Sequence, residues 1–202
     1  MCIHYQFFTS TYKDLAEYAE LNPNQPEEAW ERDLWPKRRG LIIKQHREPA
    51  VMSWGFPHPT LNKPVPNARV DKLGSPMWKG AFRHNRCLIP LTDWFENGID
   101  KRQYALKLPD PIFCVAGLHN GRDAYTMLMT EANPFIERFH DRMPIVIHKK
   151  DFDQWLNEPA KELLVPYAAE ILATCVAESK VKATRPIIAK PPPEHHQGNL
   201  FN

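Results

Sequence analysis

The chain has 202 residues, of which 43% are hydrophobic and 25% are charged, and its formal net charge at pH 7 is +2. This length fits one domain with a continuous core, and so small a charge does not by itself indicate a polyanionic partner. No apolar run approaches the roughly 20 residues of a membrane-spanning helix, and no basic-then-apolar stretch predicts a signal peptide.

The cysteines and histidines show no recognisable metal-binding or disulfide spacing. Cys2, Cys87, Cys114 and Cys175 are scattered without a C-x-x-C pair, and none of the nine histidines lies in an H-E-x-x-H motif. These spacings argue against a zinc site and against a disulfide framework. We therefore expect a reduced, cytoplasmic protein that uses neither a metal nor another cofactor.

Helical periodicity is clear in three short segments, TYKDLAEYAEL (11–21), NPFIERFH (133–140) and DFDQWLNE (151–158). Ser10 or Thr11 is a suitable N-cap for the first helix. Asn133 caps the second, with Pro134 at its first helical position. From about Arg185 the sequence predicts an extended, Pro-rich tail, so that we divide the chain into a domain over residues 1–185 and a tail over residues 186–202.

Strand-like runs fill most of the remaining domain. They are GLIIKQ, AVMSWGF, RCLIPLTDWFE, RQYALKL, IFCVAGL, AYTMLMT, MPIVIHK and EILATCVAE. The first two runs flank HREP, and the next two flank NGIDK, which predicts two hairpins. Many short strands with few helices predict an α+β domain that is mainly antiparallel β and barrel-like.

The second residue raises the first functional question. If Met1 is removed, Cys2 carries a free α-amine beside its thiol, and an α-amine with a pKa of roughly 8 is partly neutral at physiological pH. A neutral amine forms a Schiff base with an aldehyde, and the thiol can then close a five-membered thiazolidine. The alternative is a small buried residue at the edge of a strand. Position alone does not decide between the two.

Three further segments carry candidate polar groups. Asn67 and Arg69 lie two apart after a Pro-Val-Pro run, so that in a strand they share a face suited to a sugar or phosphodiester. Glu96 follows Trp94-Phe95, and desolvation there raises a carboxyl pKa toward that of a general acid. His140 precedes Asp141-Arg142 and can exchange protons near neutrality. Taken singly, Asn67 and Glu96 are better explained as a turn asparagine and a solvated glutamate, and His140 can be a histidine that the helix dipole favours at a helix end.

The order of these motifs is more specific than any one of them. Cys2, N-A-R, C-L-I-P before an aromatic-Glu pair, and H-D-R-M-P follow one another, with Trp54-Gly55, FCVAGL and TMLMTEAN between them. In this respect the chain, from Met1 to about Cys175, resembles the SRAP family of abasic-site processing and DNA–protein crosslinking proteins. The resemblance implies a barrel-like SRAP fold and a monomer that binds abasic sites in single-stranded DNA, near the nucleoid or replication fork.

The resemblance also implies residue roles. Cys2 would be the nucleophile, Asn67 would hold the opened sugar, Glu96 would be the general acid/base, and His140 would move protons at the sugar, including in a strand-cleaving lyase step. The implied DNA contacts form a second set, with Trp54 as a stacking wedge. They are Arg69, Arg142, Trp54, Thr130 and Arg86, the last residue of the basic cluster KGAFRHNR.

The chain departs from the family pattern beside its reactive groups. Ile3 and His4 replace the Gly-Arg of the usual M-C-G-R, and Asn97 replaces an aromatic residue after Glu96. Two other function classes therefore stay open. Cys2, His140 and Glu96 could form a cysteine peptidase site that acts on the Met1-Cys2 bond, or the chain could be a non-catalytic single-strand binder.

Overall fold

The computed structural model describes residues 2–8, 12–21, 30–158, 160–176 and 187–188. Its α-helices within these ranges are α1 (Tyr12–Ala19), α2 (Lys79–His84) and α3 (Phe152–Asn157). Its strands are β1 (Tyr5–Gln6), β2 (Asp33–Leu34), β3 (Arg39–Ile43), β4 (Pro49–Trp54), β5 (Asn67–Arg69), β6 (Arg86–Leu91), β7 (Asp93–Asn97), β8 (Gln103–Lys107), β9 (Phe113–His119), β10 (Ala124–Glu131), β11 (Arg142–Pro144), β12 (Val146–Ile147), β13 (Leu172–Cys175) and β14 (Ile187–Ile188).

Five strands close into a barrel. In order around the ring they are β10, β4, β3, β6 and β9, and β9 pairs back to β10. The β4–β10 pair is parallel and the other four pairs are antiparallel. β5 and β11 also pair with β10, and β12 pairs with β9. The expected fold, mainly antiparallel β and barrel-like with a few short helices, is therefore confirmed.

A second, antiparallel sheet packs beside the barrel in the order β2-β1-β7-β8-β13-β14. The chain passes from the barrel strand β6 to β7 at Thr92, whose N–H donates to the Gln6 carbonyl at 2.9 Å. RCLIPLTDWFE is therefore two strands rather than the single one predicted, because its halves pair with different sheets. The hairpin around NGIDK is confirmed for β7 and β8, as is the β3–β4 hairpin.

The barrel strands β6 and β9 are buried on both faces. Along β9, Phe113 and Val115 pack into the cluster shared with the second sheet, whereas Cys114 and Ala116 pack with the helices on the opposite side. β6 alternates in the same way. Strands covered on both faces have near-continuous apolar sequences, which is why IFCVAGL and RCLIPL lack a polar alternation.

The segment NPFIERFH does not form the predicted helix. It has a single 3-10 turn over Ile136–Arg138, and the Asn133 side chain caps it by accepting from the Ile136 N–H at 2.8 Å. The Ala132 N–H donates to the Asp141 carbonyl at 3.0 Å, which closes the loop between β10 and β11. MPIVIHK is likewise split into β11 and β12, which pair with different barrel strands.

The remaining predictions have mixed outcomes. DFDQWLNE contains α3, and α2 lies in the basic cluster KGAFRHNR, where no helix was predicted. The Ser10 or Thr11 cap and most of the 186–202 tail lie outside the described residues. Within the tail, the strand β14 pairs with β13. Within the described ranges, no helix has the length and apolar character needed to cross a bilayer.

Gly40 lies at the junction between the barrel and the second sheet, where the Tyr5 and Tyr125 hydroxyls share a buried hydrogen bond. A substitution at Gly40 therefore probes the packing of this junction. A Cβ on Gly40 would lie 2.7 Å from the Tyr5 hydroxyl oxygen and closer still to that of Tyr125. We expect Gly40→Ala to lower the free energy of unfolding by about 1–3 kcal/mol, as overpacking does. Urea denaturation measures this.

Gly80→Ala is the matched control. Gly80 lies in α2 with no atom within 4 Å of the added Cβ, so this variant should be neutral or up to about 1 kcal/mol more stable, since alanine favours helix. Equal destabilisation by the two substitutions would contradict the close packing inferred at Gly40.

Candidate active site

The second residue of the chain lies inside the protein. Cys2 has no exposed surface. Its thiol donates a hydrogen bond to the His4 carbonyl at 3.4 Å, and its own carbonyl accepts from the Asn67 side-chain amide at 2.5 Å. Residue 2 is thereby fixed between the second sheet and β5, which belongs to the barrel side.

Strand pairing brings these residues together. β1 lies antiparallel to β7, with Tyr5 opposite Trp94, and the Phe95 N–H donates to the His4 carbonyl at 3.0 Å. The backbone of β7 therefore runs past Cys2 and carries Glu96 as its second-to-last residue. On the other side, Asn67 stands opposite Met127 in the parallel β5–β10 pair.

Glu96 is a buried carboxyl. Only 5% of its surface is exposed, and the neighbouring Trp94 and Phe95 are also buried. Desolvation raises its pKa from 4.5 to about 7, and the positive charge of the chain's amino terminus partly opposes this rise. The desolvation that the Trp-Phe-Glu sequence predicts is therefore present, and a carboxyl with this pKa can both donate and accept a proton near neutral pH.

His140 is half-buried at the end of the loop between β10 and β11. Its Nδ1 lies 3.0 Å from the Arg142 backbone nitrogen and 2.8 Å from Asp141 Oδ1. Desolvation and the charge of the amino terminus lower its pKa, while the nearby Asp141 opposes them. His140 thus presents a neutral imidazole near the beginning of the chain.

Electrostatics link Cys2, Glu96 and His140, and the hydrogen bond to the Cys2 carbonyl adds Asn67 to the site. The amino-terminal charge acts on Glu96 and on His140, and the Glu96 charge in turn acts on the Cys2 thiol. Burial, reinforced by Glu96, raises the pKa of that thiol well above its usual range. Cys2, Asn67, Glu96 and His140 are therefore brought together, with the sulfur held as a neutral thiol.

The two arginines predicted to bind phosphates lie at the outer side of this site. Arg69 follows Asn67 in β5, is half-exposed, and forms two 2.9 Å hydrogen bonds with the Asp71 carboxylate. The Arg142 side chain is mostly buried, with Nε 3.9 Å from Asp141. A phosphate would have to compete with a carboxylate at both positions.

The structure corrects three other predicted DNA contacts, because their side chains are buried. Trp54 has no exposed surface and donates from Nε1 to the Pro66 carbonyl at 2.8 Å, so it supports β5 rather than forming a wedge. Thr130 is 3% exposed within β10. Arg86 donates to the Trp155 and Glu158 carbonyls, each at 2.5 Å, and therefore anchors α3.

The sequence reasoning missed Trp35, which is exposed close to the site. Trp35 stacks on His4, and His4 stacks in turn on Phe95, the residue before Glu96. A tryptophan before a proline and three cations, in WPKRR, is the signal that could have identified it. No group of three or more His, Cys, Asp or Glu side chains in the described part of the chain has a metal-binding arrangement.

Comparison with known proteins settles the family. The sequence model of the family SOS response associated peptidase (SRAP) matches residues 1–184. The chain belongs to the SRAP family. The resemblance carried by the ordered motifs is thereby confirmed.

The similar proteins include named relatives and solved structures. Abasic site processing protein YoaM of Bacillus subtilis is 30% identical over 59% of this chain and 61% of its own length, so the chain spans less than two thirds of that relative. Abasic site processing protein YoqW of the same organism is 25% identical over 92% of this chain and 96% of its own length. Crystal structures from Bordetella bronchiseptica (TM-score 0.75, 23% identity, 87% of this chain and 100% of that chain) and Bacteroides thetaiotaomicron (TM-score 0.72, 20% identity, 88% and 93%) share the fold.

The raised pKa of Glu96 predicts a pH-dependent stability. Between the ordinary value of 4.5 and about 7, the folded protein binds more protons than the unfolded chain, so stability falls as pH rises through this window. We expect wild type to lose up to about 3 kcal/mol relative to Glu96→Gln across it, at about 1.4 kcal/mol per pKa unit. Urea denaturation at a series of pH values measures the difference, and parallel curves for the two proteins would contradict the assignment.

Proposed function

We propose that this chain is an abasic-site processing protein that binds single-stranded DNA and couples covalently to the abasic site through Cys2 once Met1 has been removed. The ring-opened abasic sugar presents an aldehyde, and Cys2 would present an amine and a thiol on adjacent carbons. The product is a thiazolidine. We propose that the protein acts as a monomer within the cell, without a cofactor.

One observation carries this proposal: Glu96 is a buried carboxyl whose pKa is raised to about 7, and its charge acts on the Cys2 thiol. Condensation of an amine with an aldehyde needs a group that can deliver and recover a proton near neutral pH. The SRAP match and the names of the relatives supply the DNA lesion as substrate.

The chemistry proceeds by two additions. The neutral amine adds to the aldehyde carbon to give a carbinolamine, and Glu96 protonates the departing hydroxyl so that water leaves and a Schiff base forms. The Cys2 sulfur then bonds to the imine carbon while its proton passes to the nitrogen, which closes the ring. No oxidant is needed, and one water is released overall. Proton transfer in the opposite direction reopens the ring, which provides a route for self-reversal.

Neighbouring residues have supporting roles in this scheme. Asn67 holds the Cys2 carbonyl through its amide nitrogen, while its buried Oδ1 has no hydrogen-bond partner within the described residues and is available to a sugar hydroxyl. Arg69 and Arg142 would contact the flanking phosphates. His140 would remove a proton from the sugar carbon next to the imine, which expels the 3′ phosphate in a lyase step.

The state of the thiol weighs against the peptidase alternative. A cysteine peptidase attacks with a thiolate, whereas burial and Glu96 raise the pKa of the Cys2 thiol well above its usual range. The Schiff-base route does not need a preformed thiolate, because the imine nitrogen takes up the thiol proton as the ring closes. The buried aminothiol thus suits the aldehyde better than a peptide bond.

Removal of the thiol should abolish the crosslink. We expect Cys2→Ala to give no heat-stable adduct with single-stranded DNA that carries an abasic site, while its binding to the same DNA persists. Denaturing gel electrophoresis detects the adduct. Intact-mass spectrometry of the wild-type adduct should give the masses of the Met1-free protein and the DNA less one water.

Cys175→Ala is the matched control, since Cys175 is a free thiol that is only partly buried. This variant should crosslink as the wild type does. An adduct that persists in Cys2→Ala, or a crosslinking wild-type protein that retains Met1, would place the nucleophile elsewhere.

Loss of the proton donor should slow the reaction and leave binding intact. We expect Glu96→Gln to form the adduct about 100-fold more slowly, which is the lower end of what general acid–base catalysis contributes. The wild-type rate should also show an inflection near pH 7 that the variant lacks, because Glu96 loses its proton there. Time courses over a pH series measure both effects, and identical profiles would remove Glu96 from the mechanism.

A further inference from the structure

Three aromatic rings form a continuous stack beside Cys2. The His4 ring lies between Phe95, with centroids 4.0 Å apart, and Trp35, with centroids 4.1 Å apart, and both pairs are within 13° of parallel. Phe95 and His4 are buried, whereas Trp35 is 40% exposed. The stack therefore begins next to Glu96 and ends at the surface.

A single carboxylate, that of Asp33, holds His4 and Trp35 in place. His4 Nε2 lies 2.6 Å from Asp33 Oδ1. Although partial desolvation acts in the opposite direction, hydrogen bonds from His4, Gln6 and Trp35 lower the pKa of Asp33. Rings fixed in this way lose little conformational freedom when a ligand stacks on them.

The arrangement also explains one departure from the family pattern. His4 stands where the family has an arginine that the resemblance assigns to phosphate binding, but its Nε2 faces Asp33 and its ring faces are both covered. His4 is thus unsuited to binding phosphate. Its position in the stack instead supports the ring of Trp35 from beneath.

The surroundings of Trp35 suit a nucleic-acid strand. Lys37, Arg38 and Arg39 follow it, and the turn is closed by the Arg38 N–H donating to the Trp35 carbonyl at 2.9 Å. Ile3, which precedes His4 in the sequence, is 51% exposed. Aromatic platforms beside backbone-binding cations are the usual means of holding single-stranded DNA without reading its sequence.

We propose that the exposed face of Trp35 is a stacking platform for a nucleobase of the single-stranded DNA that flanks the reacting nucleotide, with His4 and Asp33 as its positioning residues. The identity of the strand rests on the proposed function. Trp35 thereby takes the stacking role that the sequence had suggested for Trp54, which is buried.

The test separates binding from crosslinking. Fluorescence anisotropy of a labelled, undamaged oligothymidylate measures affinity for Trp35→Ala and Trp35→Tyr. We expect Trp35→Ala to bind about 10-fold more weakly, within the range for loss of one stacked base. Trp35→Tyr should retain most of the affinity. The salt dependence should be the same as in wild type, because no phosphate-binding charge is removed.

Leu61→Ala controls for loss of an exposed apolar side chain, since Leu61 is 47% exposed, and it should bind as wild type does. Intrinsic tryptophan fluorescence should be quenched by DNA in wild type and much less in Trp35→Tyr, a signal that a purely structural role would not produce. Unchanged affinity in Trp35→Ala, an equal loss in Leu61→Ala, or no binding by wild type would overturn the platform.

The adduct assay distinguishes this proposal from the one on which it rests. At a subsaturating concentration of abasic DNA, Trp35→Ala should form the adduct about 10-fold more slowly than wild type, in line with its weaker binding, and a wild-type rate in this variant would overturn the platform. If wild type forms no adduct while Trp35→Ala still loses affinity for undamaged DNA, the covalent chemistry fails and the platform stands.

Discussion

The arrangement of the site depends on how the first residues are held. Two hydrogen bonds hold residue 2 and the nearby His4 from two directions. The Phe95 N–H donates to the His4 carbonyl, and the Asn67 side-chain amide donates to the Cys2 carbonyl. β7 contributes the first of these contacts and then delivers Glu96, while β5 contributes the second and then delivers Arg69. Because the same two strands anchor Cys2 and carry the neighbouring polar residues, the position of Cys2 is coupled to both the sheet and the barrel.

Burial of this corner has two chemical effects that work together. It raises the pKa of Glu96 into the range where a carboxyl can exchange protons at neutral pH, and it keeps the Cys2 sulfur protonated. A protonated thiol beside an available acid favours reaction by way of an imine over direct attack by sulfur. Selectivity for aldehydes would then come from the environment of the aminothiol rather than from an unusually reactive sulfur.

Features that depend on local sequence were predictable, and those that depend on distant contacts were not. The sequence alone shows three of these features: the position of Cys2, the aromatic pair before Glu96 and the strand-rich pattern. Arg86 is buried because it donates to the Trp155 carbonyl, which is distant in the sequence. Trp54 is buried because it donates to the Pro66 carbonyl and packs against Tyr5. The Trp35–His4–Phe95 stack joins three separate segments, and the bend at Thr92 arises where the chain changes sheets.

The long sequence separation of the contacts around Cys2 bears on synthesis. Tyr5 pairs with Trp94, and His140 is made later still. At roughly 5–20 residues per second, a ribosome needs on the order of ten seconds to progress from the first strand to the histidine. Until then Cys2 lacks His140 as a neighbour, and the buried site around residue 2 is complete only when the later strands have closed the barrel.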